Sequence, residues 1–156
     1  MVSVLFVCLG NICRSPTAEG IFLKQVKAKG LEKKIKVDSA GTSDYHSGEL
    51  PDSRMRTHAL ARGYDLTSRA RQLVAADLEH FDYILGMDDS NIAHIQALDP
   101  EEQFQSKIQK ITDFALNIKA DYVPDPYYGG TAGFERVIDL LEDACAGLLA
   151  EIEKSI

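Results

Sequence analysis

The sequence predicts an α/β sandwich on three observations. Strands alternate with helices along the chain, the first strand reads as buried on both faces, and the helices carry apolar stripes on one side. Val2 to Val7 is a near-continuous apolar run with β-branched residues, the pattern of an interior strand of a parallel sheet. A turn follows at Gly10 and Asn11, and Ser15-Pro16 marks a helix start with Pro16 at the first helical position. Ala18, Ile21, Phe22 and Val26 recur at helical spacing, and Gly30 fits the helix end. Ile35 to Ser39 reads as the second strand, so the strand–helix–strand order implies a right-handed parallel crossover. Gly41 to Pro51 is a loop, and Ser53 to Arg62 is a helix that stops at Gly63. Phe81 to Met87 forms the third strand and enters a helix through Asp88 or Asp89 as cap, with Pro100 beyond it. Lys107 to Ile111 makes a short fourth strand. Thr131 to Lys154 is a long terminal helix with Phe134, Val137, Ile138, Leu141, Cys145, Leu148 and Ile152 on one face. Sheets of this kind bind ligands beyond the carboxyl ends of their strands, and the first such end is Val7-Cys8.

Composition narrows the function classes. With 156 residues, 45% hydrophobic and 26% charged, no repeat and no linker-like tract, residues 1–156 read as a single domain of ordinary soluble type. The 3 cysteines are an odd set in a chain beginning MVSVLFV, without a basic leader, so a reduced, cytoplasmic protein is expected. The apolar runs fall well short of the ~20 residues that cross a bilayer. A net charge of -7 weighs against general nucleic-acid binding, so an anionic ligand must be held by a local site rather than by the overall field.

That local site is legible at Cys8-Leu9-Gly10-Asn11-Ile12-Cys13-Arg14-Ser15, which puts a cysteine and an arginine at the two ends of a strand-to-helix turn. The backbone N–H groups of such a loop can converge as a nest, the helix beginning near Ser15 adds its positive end, and Arg14 can grip two oxygens at once. All three favour a phosphate dianion, and the same field favours the Cys8 thiolate, a nucleophile, over the thiol. Transfer of a phosphoryl group to sulfur expels an alkoxide or phenoxide, which calls for an acid. Asp125 is the candidate, in Pro124-Asp125-Pro126-Tyr127-Tyr128-Gly129-Gly130, where two prolines stiffen the loop and two tyrosines bracket a flat leaving group. The ionised aspartate then serves as base for the water that hydrolyses the intermediate, and no metal or cofactor is called for.

From nearly its first residue to its last, the chain resembles a low-molecular-weight protein tyrosine phosphatase of bacterial type. Val7 to Pro16, followed by Ala18-Glu19, is very similar to that family's signature, and Asp125-Pro126-Tyr127-Tyr128 to its acid loop. Asp38-Ser39-Ala40 and Phe81-Asp82-Tyr83-Ile84-Leu85 resemble family segments between them. The resemblance implies a four-stranded parallel sheet in the order 2-1-3-4 with helices on both faces. It makes Cys8 the nucleophile, Arg14 the phosphate clamp and Asp125 the acid, within a phosphate loop of Leu9, Gly10, Asn11, Ile12, Cys13 and Ser15. It further implies that Ser15 donates to the Cys8 sulfur, that Asn11 and Ser39 hold the loop's shape, and that Leu9, Tyr45, Tyr127 and Tyr128 wall the substrate slot. Ser68 departs from the pattern by standing where members often carry a histidine bonded to the loop asparagine, so a slightly looser cradle with catalysis retained is expected. A phosphotyrosine protein as substrate, a tyrosine kinase among the partners and a monomer or weak oligomer are further implications.

The remaining chemical residues divide less sharply. Cys13 reads either as loop packing or as the partner that traps oxidised Cys8 in a reversible disulfide, and Cys145 as core filling. His46, His58, His80 and His94 have no metal-ligand spacing, and Asp88 and Asp89 read as a helix cap rather than an acidic metal site. Arg54, Arg56, Arg62, Arg69 and Arg71 read as a solvated face, with steering of acidic phosphopeptides as the functional alternative. An arsenate reductase needs relay cysteines that residues 82–91 do not supply. A protein arginine phosphatase, whose relatives tend to carry threonine where Ile12 stands, is the runner-up. A binding module would need neither a thiolate nor an acid.

Overall fold

The computed structural model describes residues 1–128 and 130–156, without the side chain of Tyr128. Its sheet has four parallel strands in the order 2-1-3-4. Strand β1 (Val2–Cys8) pairs with β2 (Ile35–Gly41) from Val2↔Ile35 to Cys8↔Gly41, and on its other side with β3 (Tyr83–Gly86). Beyond β3, the short β4 (Ile108–Lys110) closes the row. Side chains of a strand alternate between faces, and β1 is apolar on both. Val4, Phe6 and Cys8 enter one core with helices α1 (Arg14–Ala28) and α5 (Thr131–Glu153). Leu5 and Val7 enter a second core with Leu78 of helix α3 (Ala75–His80) and Ile95 of α4 (Asp89–Ala97). Phe6 meets Phe22 edge to face at 5.7 Å, and full burial of such a side chain contributes about 1.5–3 kcal/mol. The remaining helix, α2 (Ser53–Ala61), packs against α5. Among the described residues no helix is long and apolar enough to cross a membrane.

The expected elements are present with shifted ends. Helix α1 starts at Arg14, which makes Pro16 its third residue rather than its first, because the loop after β1 runs straight into helical backbone. Gly30 and Gly63 follow α1 and α2 at φ values of +70° and +92°, the left-handed conformation that ends a helix at little cost to glycine. β3 and β4 are shorter than their apolar runs, since Phe81 and Ile111 bury their side chains without joining the ladder. Helix α3 carries no signal in the sequence, because six residues are too few to display a period.

Two contacts position the site. Gly41 ends β2 directly beneath the loop after β1: a Cβ there would lie 2.8 Å from the Leu9 carbonyl oxygen and 3.1 Å from the Asn11 nitrogen. At the end of β3, the Val123 amide donates to the Met87 carbonyl at 2.8 Å and seats the 123–128 segment beside the end of β1.

Candidate active site

The loop after β1 turns at Asn11, whose φ of +56° lies in the left-handed region that asparagine tolerates better than most residues. Its carbonyls are drawn outward. Those of Cys8, Leu9 and Ile12 accept from the amides of Thr42 (2.9 Å), Ser43 (3.0 Å) and Asp52 (2.8 Å), and that of Cys13 accepts from the Thr17 hydroxyl at 2.6 Å. A trans peptide sets each N–H opposite the preceding carbonyl, so the amides of Leu9, Gly10, Cys13 and Arg14 face the loop's interior, at the N-terminus of α1. Amides converging in this way form a nest, an arrangement suited to an anion.

A chain of side-chain bonds fixes the loop from below. The Asn11 amide nitrogen donates to Ser15 Oγ at 2.7 Å and to Ser39 Oγ at 3.0 Å, while Asn11 Oδ1 accepts from the Arg71 amide at 3.0 Å. Ser15 Oγ lies 3.0 Å from Cys8 Sγ, and because it accepts from Asn11 its proton is available to the sulfur. Ser39 donates onward to Glu19 at 2.6 Å. Burial raises the Glu19 carboxyl above its ordinary range, and hydrogen bonds from Ser39 and Ser68 oppose the rise. Ser68 thus bears on the loop through Glu19 and then Ser39, two residues removed from Asn11.

Arg14 is buried, with 4% of its side chain exposed, and is held from two later segments. Its Nη1 donates to Asp88 at 2.6 Å and to the Val123 carbonyl at 3.1 Å, and its Nη2 lies 3.7 Å from Asp125 Oδ2. Asp88 is also the cap of α4, accepting from the Asn91 amide at 2.8 Å. One carboxylate therefore starts a helix and aims a guanidinium. Asparagine caps about as well as aspartate but carries no charge. Asp88→Asn is expected to leave thermal stability near the native value and to weaken inorganic phosphate binding about tenfold, the scale of one charged hydrogen bond. Calorimetric titration and a melting curve of the same sample check both halves.

Asp125 faces the loop from the opposite wall, with Oδ1 accepting from the Tyr127 amide at 3.0 Å. Arg54 braces this segment: it donates to the Tyr127 carbonyl at 3.1 Å, and its guanidinium lies 5.4 Å from the Tyr127 ring and 5.1 Å from the Phe134 ring. Arg54 is itself held by Asp52. Burial works against the Asp52 charge, but hydrogen bonds from Arg54 and from the Met55 and Arg54 amides keep its carboxyl below the usual range.

Together these groups enclose a cavity of about 360 Å³ with Cys8, Cys13 and Arg14 at its floor and Leu9, Tyr45, His46, Asp125 and Tyr127 around it. Cys8 is 2% exposed. Burial, reinforced by Asp52, Cys8 and Asp125, pushes the Cys13 thiol well above the ordinary range, so Cys13 stays protonated beside its neighbour. Cys145 is fully buried on α5, and burial pushes its thiol up as well. Of the expected slot residues, Leu9, Tyr45 and Tyr127 line this cavity, and the side chain of Tyr128 lies outside the described residues. Sequence reasoning missed three contributors. Asp88 was legible only as a cap, Arg54 only as surface charge, and His46 only as a lone histidine, since each acts through a contact with a distant segment.

A family model described as low molecular weight phosphotyrosine protein phosphatase matches residues 3–156. A Synechocystis protein named as a low molecular weight protein-tyrosine-phosphatase is 52% identical over 155 residues, covering 99% of both chains. The crystal structure of a protein tyrosine phosphatase from Entamoeba histolytica superposes with a TM-score of 0.96 at 48% identity, covering 99% of each chain. That of YfkJ from Bacillus subtilis gives 0.93 at 43%, covering 99% of this chain and 96% of that one. With the match running end to end, and Cys8, Arg14 and Asp125 lining one cavity, the chain belongs to the low molecular weight phosphotyrosine protein phosphatase family.

Proposed function

We propose that this chain hydrolyses phosphotyrosine in proteins or peptides, and aryl phosphate monoesters, through a thiophosphoryl-cysteine intermediate. The observation that carries the reading is the convergence on one cavity of Cys8 Sγ, with Ser15 Oγ at 3.0 Å, and of Arg14 and Asp125, 3.7 Å apart. The inward amides and Arg14 hold the three non-bridging oxygens. The Cys8 thiolate attacks phosphorus in line, the bond to the aryl oxygen breaks, and the acid form of Asp125 gives that oxygen its proton. Water then attacks the phosphorus, its proton passes to the Asp125 carboxylate, and the P–S bond breaks to return the thiolate. The Ser15 hydroxyl stabilises sulfur while it carries charge at the start and end of this cycle. Leu9, Tyr45 and Tyr127 offer apolar walls to a flat ring.

The test compares native chain and Asp125→Asn on aryl phosphates of graded leaving-group acidity, with EDTA present, alongside phosphotyrosine, phosphoserine and phosphoarginine peptides. The native chain is expected to prefer phosphotyrosine. The variant's kcat is expected to fall about 10²–10⁴-fold on poor leaving groups and far less on p-nitrophenyl phosphate, whose leaving group needs little protonation. An ester bound but returned unchanged would instead make this a binding module, and preference for phosphoarginine would move the substrate class.

A further inference from the structure

The basic stretch from Arg54 to Arg71 is not one solvated face. Arg62 is taken up by Glu135, Asp139 and Glu142 of α5, Arg71 by Asp38 and Asp77, and Arg54 by Asp52. Arg56 and Arg69 have no carboxylate partner among the described residues, and both line a second groove of about 520 Å³. This groove shares the Ile12, His46 and Tyr127 walls with the catalytic cavity, so the two open side by side. Arg56 Nε donates to the Pro51 carbonyl and Arg69 Nη1 to the Gly48 carbonyl, each at 3.0 Å. Each arginine is thus anchored by one donor at either end of the Gly48–Pro51 segment, and a guanidinium carries further N–H donors beyond the one so used. The two carboxylates in the groove are occupied. Glu49 is 2.9 Å from His46 Nδ1, and Asp52 is bonded to Arg54 and to two amides of α2.

We propose that this groove reads acidic side chains flanking the phosphotyrosine of a peptide substrate, with Arg56 and Arg69 as the residues that pair with them. The inference rests on the phosphatase reading above and adds a substrate class to it. In a chain of net charge -7, two braced arginines without carboxylate partners among the described residues, at the mouth of the site, offer donors to an acidic side chain that the overall charge repels.

The experiment measures kcat/KM for three peptides that share a central phosphotyrosine and differ in aspartate, alanine or lysine flanks, together with a small aryl phosphate. The native chain is expected to favour the aspartate peptide over the alanine one about fivefold, chiefly through KM, with the ratio shrinking as salt is raised. Arg69→Glu, a change on an exposed side chain, and the double change with Arg56→Glu are expected to invert the ranking so that the lysine peptide is preferred. Loss of folding lowers all three peptides together and cannot invert them. Equal values for the three peptides on the native chain, or an unchanged ranking in Arg69→Glu, overturn the subsite while aryl phosphate hydrolysis by the native chain keeps the phosphatase reading. No hydrolysis of any ester by the native chain overturns both.

Discussion

Cys8→Ser is expected to reduce aryl phosphate turnover on the order of 10⁴-fold or more while leaving oxyanion binding in place. The smaller oxygen fits where the sulfur stood and keeps a hydrogen-bonding atom facing Ser15, and the substitution leaves the loop's backbone amides and Arg14 in place. What changes is chemistry: a serine hydroxyl is intrinsically a far weaker acid, and a poorer nucleophile toward phosphorus, than a cysteine thiol. Phosphate titration by calorimetry, run beside the turnover assay, separates a dead nucleophile from a damaged cradle. Substantial turnover by the serine variant would sink the covalent route, and lost phosphate binding would mean that the substitution had disturbed the loop.

The largest stability effect is expected far from the chemistry, at Gly147 in the middle of α5. The helix lies so close to the turn formed by residues 111–114 that a Cβ at this position would overlap the Phe114 carbonyl oxygen and press on Leu116. Alanine ordinarily strengthens a helix by about 1 kcal/mol relative to glycine, so propensity alone predicts a gain from Gly147→Ala. The backbone clash has the opposite sign and cannot be relieved by a rotamer change, because the obstacle is main chain. A net loss of about 3 kcal/mol is expected, which in a domain of this size lowers Tm by roughly 10 °C. A melting temperature at or above native would show that α5 stands further from that turn than described.

The parts of the molecule that were legible in sequence are those whose physics is local. Cys8 and Arg14 declare a cradle because the strand and helix that hold them are neighbours in the chain, and the apolar run of β1 declares an interior strand. Asp125 was readable from its loop of prolines and tyrosines. Asp88 was read as a cap, which it is, but its bond to Arg14 spans 74 positions and leaves no trace in local pattern. The arginines were grouped by proximity in sequence, whereas the fold sends Arg62 to α5, Arg71 to the flank of β2 and Arg56 and Arg69 to a groove. Charge partners are chosen by the crossovers, and a sequence window does not contain them.

The way Arg14 is fastened also bears on how the molecule is made. The loop from Cys8 to Arg14 forms within one strand–turn–helix unit, but what aims it arrives late: Arg71 at 60 positions, Asp88 at 74 and Val123 at 109. Contacts of such separation cost the most loop entropy and form after local helices have done so. On a ribosome, Arg14 emerges 74 positions ahead of Asp88 and 109 ahead of Val123, so a nascent chain carries an unaimed arginine until both have followed. In a refolding experiment the helical signal therefore reports early events, and regained turnover reports the seating of Asp88 and Val123 against Arg14.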